Sequence, residues 1–520
     1  MERYLMAVDA GTGSVRAVIF DTQGQQIALE QREWTHKEDP RYPGSQDFDW
    51  VHNWDLSCAC MQGALQKSGL DPRQIAAIST TCMREGIVLY DRQMQELWAC
   101  ANVDARAGDE VVQLMRDHPA LELDLYRQSG QSFALDALPR LMWVKNKLPE
   151  IYERTCYVGM FNDWLICKLT GELKVEPSNG STSGLFDLAS RRFDTEPLRR
   201  CGLKENILPE SIECGKVAGE VNADAAAQTG LAVGTPVVAG GGDAQLGTIG
   251  VGAVLPGQAA TFGGSFWQYE FNTEKPLTDA QGRVRVNCHA IPGQWQFEAL
   301  IFQPGLVMRW FRDAFCAPLK ELASEQGLNI YDYMNAEAAR VPPGCHGMLC
   351  AFSDVMNFTS WKHAAPTFGN FDLDAQKFNL YTFYRAIQEN TALVNYGHMQ
   401  LVKETTGQLP EYLIFAGGAA KSPLWSQILC DVMGLPLQVP VVKEATALGA
   451  ALLAGCAVGI WPDLSSAVAC TVKIERELSP DPQNHELYLK LYERWQDYYQ
   501  AQLKLSDRGL TSYMWKAPGV

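Results

Sequence analysis

Tyr4–Asp21, YLMAVDAGTGSVRAVIFD, is the stretch on which the reading of this chain turns. Leu5 to Val8 form a short apolar run that stops at Asp9. Gly11-Thr12-Gly13-Ser14 supplies a turn, and Val15 to Phe20 is a second apolar run rich in branched and aromatic residues. Two such runs around a glycine-containing turn predict a β-hairpin. The glycines permit close backbone approach, so Thr12, Ser14 and several amides can surround one small anion while Asp9 projects beside them. A carboxylate next to a ring of donors suits a phosphate that carries a divalent cation. A dinucleotide-binding turn is excluded. That fingerprint needs Gly or Ala where Arg16 stands and a helix afterwards, whereas this chain continues as strand. Taken alone, the segment reads equally well as a plain hairpin with a tight turn.

The bulk properties narrow the class. A chain of 520 residues exceeds what one core sustains and predicts more than one domain. With 47% hydrophobic and 20% charged residues it has the composition of a soluble globular protein. Its net charge of −16 argues against nucleic acid or an anionic membrane as partner, and leaves phosphate binding by backbone amides open. The fifteen cysteines include no C-x-x-C pair and read as free thiols. Cys345, His346 and Cys350 lack a fourth ligand for a metal. Ala445–Trp461 (ATALGAALLAGCAVGIW) carries no charge, but its Ala/Gly composition predicts a closely packed buried helix and not a membrane span. A cytoplasmic protein is expected.

Along the chain, Gln26–Arg32 adds a third strand, and Trp34–Asp49 reads as loop. Trp54–Lys67 has apolar residues at helical spacing, and Ile75–Thr80 and Ile87–Tyr90 read as strands. Arg84-Glu85, between those two strands, is either a surface turn or a polar pair aimed into a cleft, where it would hydrogen-bond the hydroxyls of a small-molecule polyol. Asn102, Asp104 and Arg106 form a second polar cluster that could line the same cleft. Leu138–Lys147 and Asp163–Leu169 predict helices, the second closed by Gly171. Pro177–Gly184 reads as a Ser/Asn/Gly-rich loop and Val217–Gly234 as linker-like.

VVAGGGDAQLGTIGVG follows, with Asp243 at the start of a helix behind three glycines. An N-cap Asp is common, but a cap needs no triple glycine, which favours a carboxylate that a ligand approaches closely. Gln258–Phe262, Gly263-Gly264-Ser265 and Phe266–Phe271 then repeat the strand–turn–strand layout of the opening hairpin. A repeat near mid-chain predicts two related lobes, divided near Thr248 into residues 1–247 and 248–520. Later come helices at Leu306–Phe315, Asp332–Arg340 and Asn379–Glu404, with a turn-rich stretch at Pro342–Gly369. The strand Tyr412–Phe415 opens into Gly417-Gly418-Ala419-Ala420-Lys421-Ser422. This last turn lacks the glycines of a Walker A loop, yet it suits an adenine–ribose–phosphate edge before the helix Pro423–Met433.

Two glycine/hydroxyl hairpins, a glycine-led Asp, a late Gly-Gly-Ala loop and the segments DWLICKLTGE (Asp163–Glu172) and EATALGAALLAG (Glu444–Gly455) occur in a fixed order. In this the whole chain resembles the FGGY family of carbohydrate kinases. The resemblance implies an α/β fold of two actin-like (ribonuclease H-like) lobes with an ATP/substrate cleft between them. The first lobe would lie on the acceptor side and the second on the nucleotide side. It also implies ATP and Mg2+ as cofactors and phosphoryl transfer to the terminal hydroxyl of a short polyol-like substrate.

By matching position, Asp9 and Asp243 would hold the metal. Gly11, Thr12, Gly13 and Ser14 would form the first phosphate loop, and Thr261, Gly263, Gly264 and Ser265 the second. Gly417, Gly418 and Ala419 would seat the adenosine, and Asp243 would be the catalytic base. Arg84 and Glu85 match the pair that grips the polyol in glycerol kinases, not the Gln-Met-His-Gly of xylulose kinases. Asn102, Asp104, Asp243 and Gln245 would complete the acceptor site. Gly418-Ala419 departs from the Gly-Gly of many members, and Phe352–Phe371 lacks the family's aromatic-proline pattern, so no role is carried over there. A protein of the phosphotransferase sugar-uptake system is a further partner the resemblance suggests. A glycerol or pentulose kinase remains an alternative, and a non-catalytic actin-like nucleotide switch a remoter one.

Overall fold

The computed structural model describes residues 2–520. The opening hairpin forms as the pattern demands, Tyr4–Ala10 pairing antiparallel with Ser14–Phe20, and Gln26–Glu33 adds to its outer edge. Ile75–Cys82 lies parallel to Tyr4–Ala10 on the other side, followed by Pro236–Gly242 in parallel and Val217–Glu220 antiparallel at the far edge. The second sheet repeats this plan. Its hairpin is Ala259–Gly263 with Trp267–Thr273, continued by Trp295–Ile301, while Leu413–Ala416 and Leu437–Pro440 run parallel on the other flank and Ile474–Leu478 closes the edge. Arg285–Cys288 is an additional strand beyond Trp295–Ile301. Two sheets of one topology, each covered by helices, make the bilobal actin-like α/β fold.

The central strands of the first sheet are apolar on both faces because both are covered. Met6, Val8 and Ile19 pack beneath the helices Trp50–Ser68 and Phe161–Thr170 through Trp54, Met61 and Trp164. Leu5, Ala7 and Val18 face Leu246 and Ile249 of the helix Asp243–Gly250, together with Ala447, Leu448 and Ala451 of the helix Ala445–Ala457. In the second lobe Trp267, Tyr269 and Phe271 join Phe415 and Trp425 in a core shared with the long helix Leu380–Thr406. A small sheet of Ile87–Tyr90, Glu96–Cys100 and Tyr157–Met160, with its helices, has an apolar core of its own beside the first lobe.

Three stretches depart from the sequence reading. Pro177–Gly184 is not a loop but a buried helical turn, Pro177–Gly180, running into a 3-10 turn at Ser181–Ser183. The Glu176 carboxylate accepts from the amides of Ser178 and Asn179, and the Thr182 and Ser183 hydroxyls donate to the backbone at 2.7 and 2.6 Å, so most of its polar groups are satisfied inside the protein. Val217–Gly234 is not a linker. It holds the edge strand Val217–Glu220 and a helix, Ala223–Thr229, capped by Asn222. Pro342–Gly369 contains three short strands, of which Lys362–Ala364 pairs with the C-terminal Tyr513–Lys516.

The Ala/Gly run is the buried helix Ala445–Ala457, and among the described residues no helix is long and apolar enough to cross a membrane. Its glycines serve a close crossing with Asp243–Gly250. A Cβ on Gly449 would lie 1.9 Å from the Leu246 carbonyl oxygen, and one on Gly250 would lie 1.8 Å from that of Ala445. Neither backbone can yield without parting the helices. Gly449→Ala should therefore lower stability by about 1–3 kcal/mol, the usual cost of overpacking. A thermal melt checks this, with Gly13→Ala, whose Cβ meets nothing within 4 Å, as the neutral control.

Candidate active site

The carbonyls of the first hairpin turn are engaged by the segment that follows its third strand. Trp34 donates its indole N–H to the Gly11 carbonyl at 3.0 Å and its amide to the Gly13 carbonyl at 3.1 Å, and a His36 ring nitrogen lies 2.8 Å from the Thr12 carbonyl. With these carbonyls engaged, amides and hydroxyls are what the turn offers to an anion. Thr12 and Gly13 are exposed at its tip. Asp9, at the end of the strand, is 5% exposed, and burial pushes its pKa up to about 6 despite Arg16, with Asp243 and Glu444 adding to the shift. Arg16, the residue that ruled out a dinucleotide turn, approaches Asp9 at 3.3 Å and donates to Glu444 at 2.6 Å. It thereby ties the hairpin to the start of the helix Ala445–Ala457.

Asp243 is the first residue of its helix, with Gly242 in the capping position. A Cβ on Gly242 would collide with Arg84 and Gln245, so the glycine is what lets these side chains crowd the helix start. The Asp243 side chain is 42% exposed and accepts from Arg84 Nε at 2.9 Å. Its surroundings desolvate it and raise its pKa; Arg84 opposes the shift, and Glu85 and Glu298 add to it. A carboxylate made more basic and left open to solvent on one side is equipped to take a proton.

Arg84 also forms a two-pronged pair with Glu298, whose second contact is 3.0 Å. Arg285 bonds Glu85 and reaches Glu298 at 3.4 Å, and Asn287 donates to Glu298 at 3.3 Å. Burial opposes the Glu298 charge, but the two guanidinium groups outweigh it and hold the carboxyl below its usual range. Arg84, Glu85 and Asp243 come from the first half of the chain, while Arg285 and Glu298 come from the second. The charged network therefore spans the cleft.

Glu85 adopts a left-handed backbone conformation, φ 64°, which costs a non-glycine residue free energy unless its surroundings impose it. The buried Arg140 supplies the constraint. Its guanidinium bonds the Glu85 carbonyl and also those of Asn102 and Asp104, the latter two at 2.8 and 3.1 Å. The two polar clusters singled out in the sequence are thus held together by one side chain that the sequence reading passed over.

Within the second cluster the roles divide. Asn102 donates to the Thr12 hydroxyl at 3.0 Å and so belongs beside the phosphate turn. Asp104 is buried, and its oxygens accept from Arg106 at 2.7 Å and the Gln46 amide at 2.6 Å, which leaves little for an acceptor. Gln245 is buried with neither side-chain atom hydrogen-bonded.

On the second lobe, the Gly264 amide closes the hairpin turn onto Phe266 at 3.1 Å, and Gly305 abuts it closely enough that a Cβ there would lie 2.2 Å from the Gly264 carbonyl. Thr261 is fully buried and donates to Asn395 at 3.1 Å, fixing the strand. Gly417, at φ 93°, passes so near Gly263 that no side chain fits. Gly263, Gly264, Ser265, Gly418 and Ala419 border a cavity of about 750 Å³, bounded opposite by Arg309, Arg312, Tyr331 and Asn335. Its size suits a small ligand. Among the described residues no three His, Cys, Asp or Glu side chains gather to hold a metal. A magnesium ion needs only one or two carboxylates when phosphates supply the rest, and Asp9 and Asp243 fit that requirement.

Two actin-like lobes with a glycine-lined turn on each and the partly exposed carboxylate of Asp243 are the layout of the ATP-dependent phosphotransferases to which the chain is matched by sequence. Residues 4–250 match the N-terminal domain of the FGGY family of carbohydrate kinases, and residues 264–458 match its C-terminal domain. The chain belongs to that family.

It is 50% identical over 518 residues to the autoinducer-2 kinase of Salmonella paratyphi A, covering 99% of this chain and 98% of that one. Its identity to the autoinducer-2 kinase of Escherichia coli is 49% with the same coverage. Among solved structures, xylulose kinase from Rhodospirillum rubrum superposes with a TM-score of 0.86 at 24% identity, over 97% of this chain and 99% of that one. Plasmodium falciparum glycerol kinase with ADP gives 0.82 at 19%, over 96% and 98%. These likenesses bear out the two-lobed fold and the family read from the sequence. Family membership carries ATP and magnesium as its general requirement and a small molecule as its substrate.

Arg84→Met would strip Glu298 and Asp243 of their shared counter-charge. Breaking a buried pair by removing one partner costs about 3–5 kcal/mol. A lower melting midpoint, partly restored by Arg84→Lys, is the expected outcome in scanning calorimetry.

Proposed function

We propose that this protein transfers the γ-phosphoryl group of ATP to the terminal hydroxyl of the linear form of autoinducer-2, 4,5-dihydroxypentane-2,3-dione, as a step in quorum-sensing signal processing. The observation that carries the transferase reading is Asp243. It is a desolvated but accessible carboxylate, oriented by Arg84, at a helix start between the two glycine turns. The choice of acceptor is supported by the autoinducer-2 kinases that share half of this sequence along its whole length.

In this reading the turns Gly11–Ser14 and Gly263–Ser265 align the triphosphate, and Gly417, Gly418 and Ala419 seat the nucleoside end in the adjoining cavity. Asp9 and Asp243 would hold magnesium, which when bound neutralises phosphate charge. Asp243 takes the proton of the acceptor hydroxyl as its oxygen bonds to the γ-phosphorus and the bond to the β–γ bridging oxygen breaks. The products are a phosphate ester and ADP. Phosphoryl transfer passes through a loose transition state, so alignment and charge neutralisation supply most of the acceleration. Arg84, Glu85 and Gln245 would orient the acceptor. The Arg84–Glu298 bridge between the lobes would favour the closed cleft, which excludes water from the phosphoryl group.

Asp243→Asn should lower turnover by about 10²–10⁴-fold, the usual worth of a general base, and leave nucleotide binding intact. Coupled ADP detection over a panel of autoinducer-2, glycerol and pentuloses, with calorimetric titration of nucleotide, measures both. Near-wild-type turnover in the variant would refute the assignment of the base. A preference for glycerol or a pentulose would refute the assignment of the acceptor.

A further inference from the structure

The strand Trp267–Thr273 sends Trp267, Tyr269 and Phe271 into the core of the second lobe. Glu270 faces the other way. It stands directly across the sheet from Glu298, which in turn stands across from Arg285. Opposed side chains on antiparallel strands begin about 4.5–5.5 Å apart, so Glu270 adjoins a carboxylate already engaged by Arg84, Arg285 and Asn287. Glu270 is fully buried, and neither of its oxygens has a hydrogen-bond partner.

Gln245 is in the same condition on the other flank of Arg84. The point that a Cβ on Gly242 would occupy lies 2.5 Å from Gln245 Oε1 and 2.7 Å from Arg84 Cδ, so the amide and the arginine crowd the same glycine. An unpaired buried polar group forfeits its hydration with nothing to replace it. Two complete side chains left without partners around the Arg84–Glu298 pair are hard to account for as structure alone. They are what a polar ligand would satisfy.

We propose that Glu270 extends the acceptor site already assigned to Gln245, gripping an oxygen of the acceptor remote from its reacting hydroxyl and so selecting the acceptor. This rests on the kinase reading above and names part of its specificity. Burial, reinforced by the neighbouring Glu298 and opposed by Arg84 and Arg285, pushes the Glu270 carboxyl up toward its protonated form. It then offers one O–H donor and one carbonyl acceptor, and the Gln245 amide offers another donor and acceptor. This inventory suits a short, uncharged hydroxy-carbonyl compound. An anionic sugar acid would find no free cation there to pair with, because Arg84 and Arg285 are already held by Asp243, Glu85 and Glu298.

The test is steady-state kinetics of the full chain and its Glu270→Gln and Glu270→Met variants, varying acceptor and ATP separately, with thermal melts of each. Gln keeps a donor and an acceptor in the same shape, so its acceptor KM should stay within about threefold of wild type. Met keeps the shape alone and should raise acceptor KM at least about tenfold, since a missing hydrogen-bond partner weighs heavily in a site built for one. ATP KM should remain unchanged in both variants. The melting midpoint of the Met variant should hold or rise, because an unpaired buried acid has been removed.

An acceptor KM for the Met variant within about twofold of wild type would overturn the proposal. So would a fall in its melting midpoint with ATP and acceptor constants worsening together, which is the mark of a purely structural residue. Wild-type activity on gluconate equal to that on the uncharged acceptors would overturn it as well. If the wild-type chain phosphorylated none of the acceptors, the kinase reading itself would fail first, and the proposal with it.

Discussion

One guanidinium stands at the centre of the charges in the cleft. Arg84 contacts Asp243 beside it and Glu298 on the opposing sheet, and Arg285 closes the circuit from Glu298 back to Glu85. Charges this deeply buried are tolerable only as a set, because each forfeits hydration that its partner alone must offset. The consequence is geometric. The strand-end turn carrying Arg84-Glu85, the helix start carrying Asp243 and the outer strands of the second sheet are fixed relative to one another by the need to keep these groups paired. The strained backbone of Glu85, pinned by Arg140, extends the same constraint to the segment of Asn102 and Asp104.

A second constraint is apolar. The helices Asp243–Gly250 and Ala445–Ala457 cross at a distance only glycine allows, and both pack on the first sheet although one of them comes from late in the chain. Arg16, paired with Glu444 at the start of the late helix and with Asp9 at the end of the first strand, joins this crossing to the phosphate turn. The two helices join the proposed base, on one helix start, to the proposed metal-side carboxylate, reached through the other, while Tyr126, Gln131 and Arg191 tie the first half of the chain to the strands of the second elsewhere.

What could be read from the sequence, and what could not, follows from the periodicities involved. Both hairpins, the glycine-led Asp243 and the Ala/Gly helix were legible because local spacing and turn chemistry determine them. Pro177–Gly184 was not legible, since its hydroxyls bond the segment's own carbonyls and the Glu176 carboxylate inside the protein where composition alone indicates solvent. Glu270, Arg285, Asn287 and Glu298 were hidden for a related reason. Strands such as Trp267–Thr273 and Trp295–Ile301 alternate polar with apolar, the ordinary mark of a sheet with one wet face. Nothing local says that this polar face is covered by another lobe. Arg140 was concealed within a helical pattern, where an arginine ordinarily reads as surface.

The polar face between the lobes is also what separates a transferase from a plain nucleotide clamp. Two glycine-lined turns suffice to bind a nucleotide's phosphates, and they would do so equally in a switch protein. They give no reason to bury Arg84, Glu85, Glu298 and Arg285 behind the nucleotide site, at a desolvation cost of several kcal/mol per ion. Nor do they give a reason to leave Glu270 and Gln245 buried without partners. Such an arrangement is retained where a polar molecule completes it. Asp243 lies at the boundary of the two regions, paired with Arg84 on the inner side and open on the other. A hydroxyl held by the inner groups would reach the phosphorus past that carboxylate, so the order of charges across the cleft also sets the direction in which the proton leaves.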